Sequence, residues 1–135
     1  GELMWASAMA ENGLLKLGKQ TDFQCHMLEH AVGAYTDCNH GQGLAVIHPI
    51  LYRHLLSEGK EKLARMAQEV WKVKGDTTDQ TASLGVEALA GFIREIGLPT
   101  RWSEMGITDE TVLRPCRYLF PHAGMLQTVY ERRTV

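Results

Sequence analysis

Apolar residues recur at helical spacing along most of this chain, and nowhere do they alternate with polar ones. Ala82, Val86, Leu89, Ala90, Ile93 and Ile96 share one face of a helix over about 79–96. Gly97-Leu98-Pro99 stops that helix, a glycine for the left-handed turn and a proline that cannot continue it. With no period-two segment there is nothing from which to build a sheet, so the fold class is all-α, a helical bundle. At 135 residues and 44% apolar content the chain reads as a single helical domain, 1–135, able to bury a core.

The same reading places the other elements. Leu3 to Leu17 is expected to be one helix closed by Gly18, with Gly13 inside it costing about 1 kcal/mol against alanine. Thr21 or Asp22 caps a second helix, Phe23 to Tyr35. Its packing stripe is Phe23, Met27, Ala31 and Ala34, and His26, His30 and Gly33 lie on a neighbouring face. A third helix starts near Gly41, is apolar nearly all round and therefore central, and is kinked by Pro49. From Ser57 as its cap, a fourth carries Leu63, Met66, Ala67, Val70 and Trp71 toward the core. Beyond Pro99, TRWSEMGI reads as irregular, Thr108 caps a short helix over TDETVL, and the tail from Pro121 shows no period.

Charge and cysteine usage bear on several classes. A net charge of −2 without any long Lys/Arg run leaves a nucleic-acid or anionic-membrane surface unsupported, so neither partner is expected. No apolar run is long enough to span a bilayer, and no signal peptide opens the chain. Three cysteines without a CxxC point to reduced thiols and a cytoplasmic setting. The chain opens on Gly1 rather than Met, with helix-forming sequence under way by Leu3, which reads as a scar or cut in something longer.

The chemistry concentrates in HMLEHAVGAYTDCNH, residues 26–40. His26 and His30 are one helical turn apart, and His40 stands at the mouth of the next helix after a polar break. Three imidazoles on two helices can converge on one metal ion. The bland alternative is three polar side chains hydrogen-bonded to backbone or water. Asp22, four residues before His26, could join the set or simply cap its helix. Cys25 and Cys38 could lend thiolates, but Cys25 points about 100° away from His26 and no paired-Cys spacing supports them. His48, His54 and His122 show no partner pattern and read as structural or exposed. Gly41-Gln42-Gly43 lacks the third glycine and the preceding strand of a dinucleotide fingerprint.

Taken together, LMWASAMAENGLLKLG, HMLEHAVGAYTDCNHGQGLAVIHP, LARMAQEVW and GFIREIGLPTRWSEMGI closely resemble the iron-containing alcohol dehydrogenases, nearest to the butanol-dehydrogenase-like branch that reduces aldehydes with NADH or NADPH. The resemblance runs from about Leu3 to Ile107. Dehydroquinate synthases and glycerol dehydrogenases, which share such a helical domain, fit less well. The resemblance implies an N-terminal α/β domain that binds the nicotinamide and a C-terminal helical domain that holds the metal, to which this chain corresponds.

What the resemblance implies for individual residues is specific. His26 and His40 become ligands of a divalent metal, Fe2+ or Zn2+, and His30 a catalytic group beside the nicotinamide. Gly41 lets the next helix start close to the ion. The other two ligands, an Asp and a His four apart, belong to a helix expected before Gly1, and NAD(P)H to the domain absent here. A final helix expected after His122-Ala123-Gly124-Met125 is not found before Val135. The implied reaction interconverts a small alcohol and its aldehyde by hydride transfer, with the metal as Lewis acid. The isolated chain is expected to be inactive. The rival reading is a non-catalytic helical module, a homo-oligomer through an exposed apolar patch, whose histidines are structural.

Overall fold

The structure, a computed structural model, describes residues 1–19 and 21–108; the short helix expected over TDETVL, the tail and His122 lie outside them. Five α-helices run in order: α1 Glu2–Glu11, α2 Gln24–Thr36, α3 His40–His54, α4 Leu56–Met66 and α5 Thr78–Glu95. Among the described residues there is no strand, as the all-α reading expects. No helix among them is long and apolar enough to cross a membrane.

α3 is the centre of the bundle, packed against α2, α4 and α5. It buries Gly43, Ala45, Val46, Ile47, Pro49 and Leu51, in keeping with its apolar sequence. Pro49 lies within the helix rather than ending it. Leu51 and Ile47 meet Cys25 and Leu28 of α2, with Trp102 closing that cluster from the 3-10 turn Trp102–Met105. A second cluster joins Leu63 and Ala64 of α4 to Ala82 and Val86 of α5. Tyr52 touches both clusters, so the two halves of the core are continuous.

Several boundaries differ from expectation, each for a local reason. The first helix ends at Glu11, because Gly13 takes φ +85° and a separate 3-10 turn, Leu14–Lys16, follows. α2 packs through Cys25, Leu28, Glu29, Ala31 and Val32, whereas Phe23 and Met27 of the expected stripe are exposed. The face that meets α3 decides this, and it is rotated from the face that hydropathy alone selects. Ser57 does not cap α4, which begins at Leu56 directly behind α3. A five-residue π-turn, Ala67–Trp71, ends that helix and shifts its register, so Val70 is exposed rather than core.

α5 matches the expected span within a residue at each end. Thr77 caps it, its hydroxyl accepting from the Gln80 N–H at 3.1 Å. At its other end Gly97, at φ +76°, donates to the Arg94 carbonyl and Leu98 to that of Ile93, each at 3.1 Å. That is the glycine-terminated stop the sequence announced.

Candidate metal centre

The α2–α3 hairpin builds the site. Asp37 leaves α2 in the left-handed region at φ 52°, its N–H held by the Gly33 carbonyl at 2.8 Å. Asn39 then caps α3, accepting from the Gln42 N–H at 3.2 Å. Only Asp37, Cys38 and Asn39 separate the helices, so α3 runs back antiparallel along α2. His40, the first residue of α3, therefore faces the middle of α2.

The three expected histidines come together. Ring centroids lie 5.4 Å apart for His26 and His40, 5.3 Å for His30 and His40, and 6.2 Å for His26 and His30. His26 is half-buried, while His30 and His40 are exposed. The Phe23 ring lies 5.0 Å from that of His26, tilted 49° to it, with the Lys16 ammonium 4.4 Å over the Phe23 ring.

Two further groups belong to the cluster. His48 lies two turns along α3 from His40, and its ring is 6.4 Å from His26 and 5.4 Å from Tyr52. Its Nδ1 contacts the Leu44 carbonyl at 2.9 Å. Burial holds this imidazole below the ordinary histidine range; the Leu44 contact opposes that shift and the nearby His26 adds to it. The eight-residue spacing from His40 was the available sign.

Glu29 is the second. It lies on the packing face of α2, 2% exposed, and its carboxylate pairs with Nδ1 of His40. The other oxygen receives Cys38 Sγ at 3.9 Å. Nothing in its spacing separates Glu29 from a solvent-facing helical glutamate.

The rival ligand readings fare differently. The Asp22 carboxylate accepts from the Gln24 N–H at 2.9 Å and the Gln24 amide at 3.2 Å, but the cap position of α2 is Phe23, with no side-chain capping bond, so neither Thr21 nor Asp22 is the N-cap expected. Cys25 is buried in the α2–α3 core, where burial, with Asp22 adding to it, pushes its thiol up to about 12. His54 is exposed.

The donor set suits a divalent cation. Imidazoles that share one tetrahedral ion have their ring centres about 5 Å apart, given metal–nitrogen bonds near 2.0–2.1 Å. The His26–His40 and His30–His40 separations match that spacing. Donor atoms of Glu29, His30 and His40 also lie within 4.8 Å of one another. Both Glu29 oxygens are already engaged, however, so the carboxylate counts as a partner of His40 rather than an open ligand.

Residues 1–126 match the family model for the Fe-containing alcohol dehydrogenase family, C-terminal. The chain belongs to this family. Among curated Fe-containing alcohol dehydrogenase relatives it is similar to a probable NADH-dependent butanol dehydrogenase 1 of Bacillus subtilis, 34% identical over 110 residues. That match covers 80% of this chain and 28% of the relative. The NADPH-dependent aldehyde reductase YqhD of Escherichia coli is 30% identical over 125 residues, 93% of this chain and 32% of its own length. The crystal structure of E. coli YqhD superposes with a TM-score of 0.85 at 26% identity, over 96% of this chain and 36% of that one. The chain thus spans about a third of the length of these relatives.

Proposed function

We propose that this domain is the metal-holding part of an NAD(P)-dependent alcohol dehydrogenase that interconverts a small alcohol and its aldehyde. The observation that carries the reading is the approach of His26 and His40, from two helices, to 5.4 Å between ring centres. Family membership and relatives named for NADH- or NADPH-dependent alcohol and aldehyde chemistry support it.

His26 and His40 are the protein's ligands for a divalent iron or zinc ion, to which neutral imidazole is suited. When bound, the ion supplies Lewis-acid polarisation of the substrate oxygen. His30, exposed and with its ring 5.3 Å from that of His40, takes or returns the alcohol proton in this reading, imidazole being suited to general acid–base work. The nicotinamide cofactor belongs to parts of the enzyme outside these residues, and the setting proposed is cytoplasmic, in line with the free thiols of Cys25 and Cys38 among the described residues.

The deciding experiment is a titration of the purified chain with Zn2+ and Fe2+, alongside His26→Ala and His40→Ala. One-to-one binding that both substitutions weaken is expected; binding indifferent to both would overturn the proposal.

A second reading, self-association, is favoured by the apolar side chains around α1. Leu3, Met4, Trp5, Leu14, Leu15 and Leu17 are all more than half exposed. Light scattering over a concentration series should show mass rising with concentration, whereas a constant monomer mass removes this reading.

A further inference from the structure

We infer that Glu29 is a positioning residue for this centre. Its buried carboxylate accepts the Nδ1 proton of His40, leaves Nε2 as that ring's free donor atom, and sits in a slot that two glycines keep open. The link to metal affinity rests on the proposed role of His40; the choice of tautomer does not.

The slot is visible in what a larger residue would meet. A Cβ on Gly43 of α3 would fall 2.8 Å from Glu29 Cγ and 3.0 Å from Oε1. One on Gly33, a turn along α2, would lie 3.2 Å from the same oxygen. By contrast, a Cβ on Gly41 would meet only the Asn39 side chain, at an ordinary 3.4 Å. The glycine that matters sterically is therefore Gly43, and what occupies its space is a carboxylate.

A carboxylate with a side chain 3% exposed is costly unless hydrogen bonds compensate it. Here the compensation comes from His40 Nδ1 and Cys38 Sγ, both in or beside the short hairpin link. The His40 side chain is half exposed, 51%, so packing alone does not hold its ring. Glu29 supplies the hold. An imidazole whose Nδ1 donates to a carboxylate presents a more basic Nε2 in a fixed direction, which is how ligating histidines are commonly oriented.

The test reads the tautomer directly, without metal. In a long-range 1H–15N correlation spectrum of the labelled chain, at a pH where imidazole is neutral, His40 should carry its proton on Nδ1. Glu29→Gln, whose amide oxygen can still accept, should retain that form, and Glu29→Leu should shift His40 toward the Nε2–H form usual for free histidine. His26 serves as the internal control. A wild-type His40 protonated on Nε2, or no difference between wild type and Glu29→Leu, overturns the inference. Should Glu29→Leu fail to fold, Gly43→Ala displaces the carboxylate without removing it, and an unchanged His40 tautomer in that folded variant sinks the inference equally.

Zinc affinity provides the second readout. Loss of a carboxylate partner costs roughly 10–100-fold in affinity, so Glu29→Leu should show a fall of that order and Glu29→Gln a smaller one. Binding lost in His40→Ala but untouched by Glu29→Leu refutes the positioning role. Binding indifferent to His40→Ala refutes the metal assignment instead, while the tautomer result still decides what Glu29 does.

Discussion

Gly85 of α5 lies directly against Ala67 at the start of the π-turn: a Cβ on Gly85 would fall 2.6 Å from the Ala67 Cβ and 3.1 Å from the Leu63 carbonyl oxygen. Neither neighbour can rotate away, since one is a methyl on the backbone and the other is backbone itself. Gly85→Ala gains about 1 kcal/mol in helix propensity, but overpacking of this kind costs about 1–3 kcal/mol. The expected net effect is destabilisation, read as a lower urea midpoint at unchanged slope. A more stable variant would mean that α4 and α5 can separate freely.

Two left-handed positions should respond in opposite directions. Gly97 ends α5 at φ +76° with open space around it, so Gly97→Ala pays only for backbone strain, about 1 kcal/mol. Lys72 holds φ 56° after the π-turn without being glycine. Lys72→Gly should therefore raise stability by up to about 1 kcal/mol. Thermal melts of the two variants on either side of wild type would bear this out, and shifts of the same sign would refute it.

Arg53 on α3 and Glu87 on α5 form a two-pronged pair, Nε to Oε1 at 2.6 Å and the second guanidinium nitrogen to Oε2 at 2.9 Å. The hydrogen bond from Arg53 is the main cause that holds the Glu87 carboxyl below its ordinary range, against partial desolvation. A depressed carboxyl stabilises the fold above its unfolded pKa, and that contribution fades as pH falls through the folded one. Because Glu87 is more than half exposed, solvent screening limits the coupling to about 0.5–1 kcal/mol. A double-mutant cycle with alanine should find it at pH 7 and lose it in acid below the normal carboxylate range. Coupling that persists there would exclude an ionic origin.

Cys25 should be nearly inert to alkylation. With its thiol pushed up to about 12, only about one molecule in ten thousand is thiolate at pH 8. Peptide mapping after brief iodoacetamide treatment should find Cys25 unmodified in the folded chain and modified in urea. Rapid labelling without denaturant would show that the α2–α3 core opens readily.

Sequence patterns anticipated some parts of this fold better than others, for reasons that can be named. The C-terminal stop of α5 is legible because Gly97 acts on its own backbone, through bonds that need no distant partner. The convergence of His26, His30 and His40 was legible for a similar reason: a four-residue spacing and a short link leave few other arrangements. The packing face of α2 is not legible in hydropathy, because Phe23 and Met27 are exposed while Cys25 is buried. The π-turn at Ala67–Trp71 carries no proline or glycine to announce it, so helical periodicity assigns Val70 to the core although it is exposed.

By itself, then, the sequence determined the helical class, the C-terminal stop of its best-capped helix and the gathering of imidazoles at the α2–α3 hairpin. These follow from periodicity, capping and chain connectivity, which act over a few residues. Tertiary structure alone decided that Glu29 turns inward to His40, that Gly43 makes room for it, and that His48 closes the cluster beside His26. Which face of a helix is buried, and which polar side chain is carried in with it, depends on the shape of the helix packed against it, and no local pattern encodes that shape.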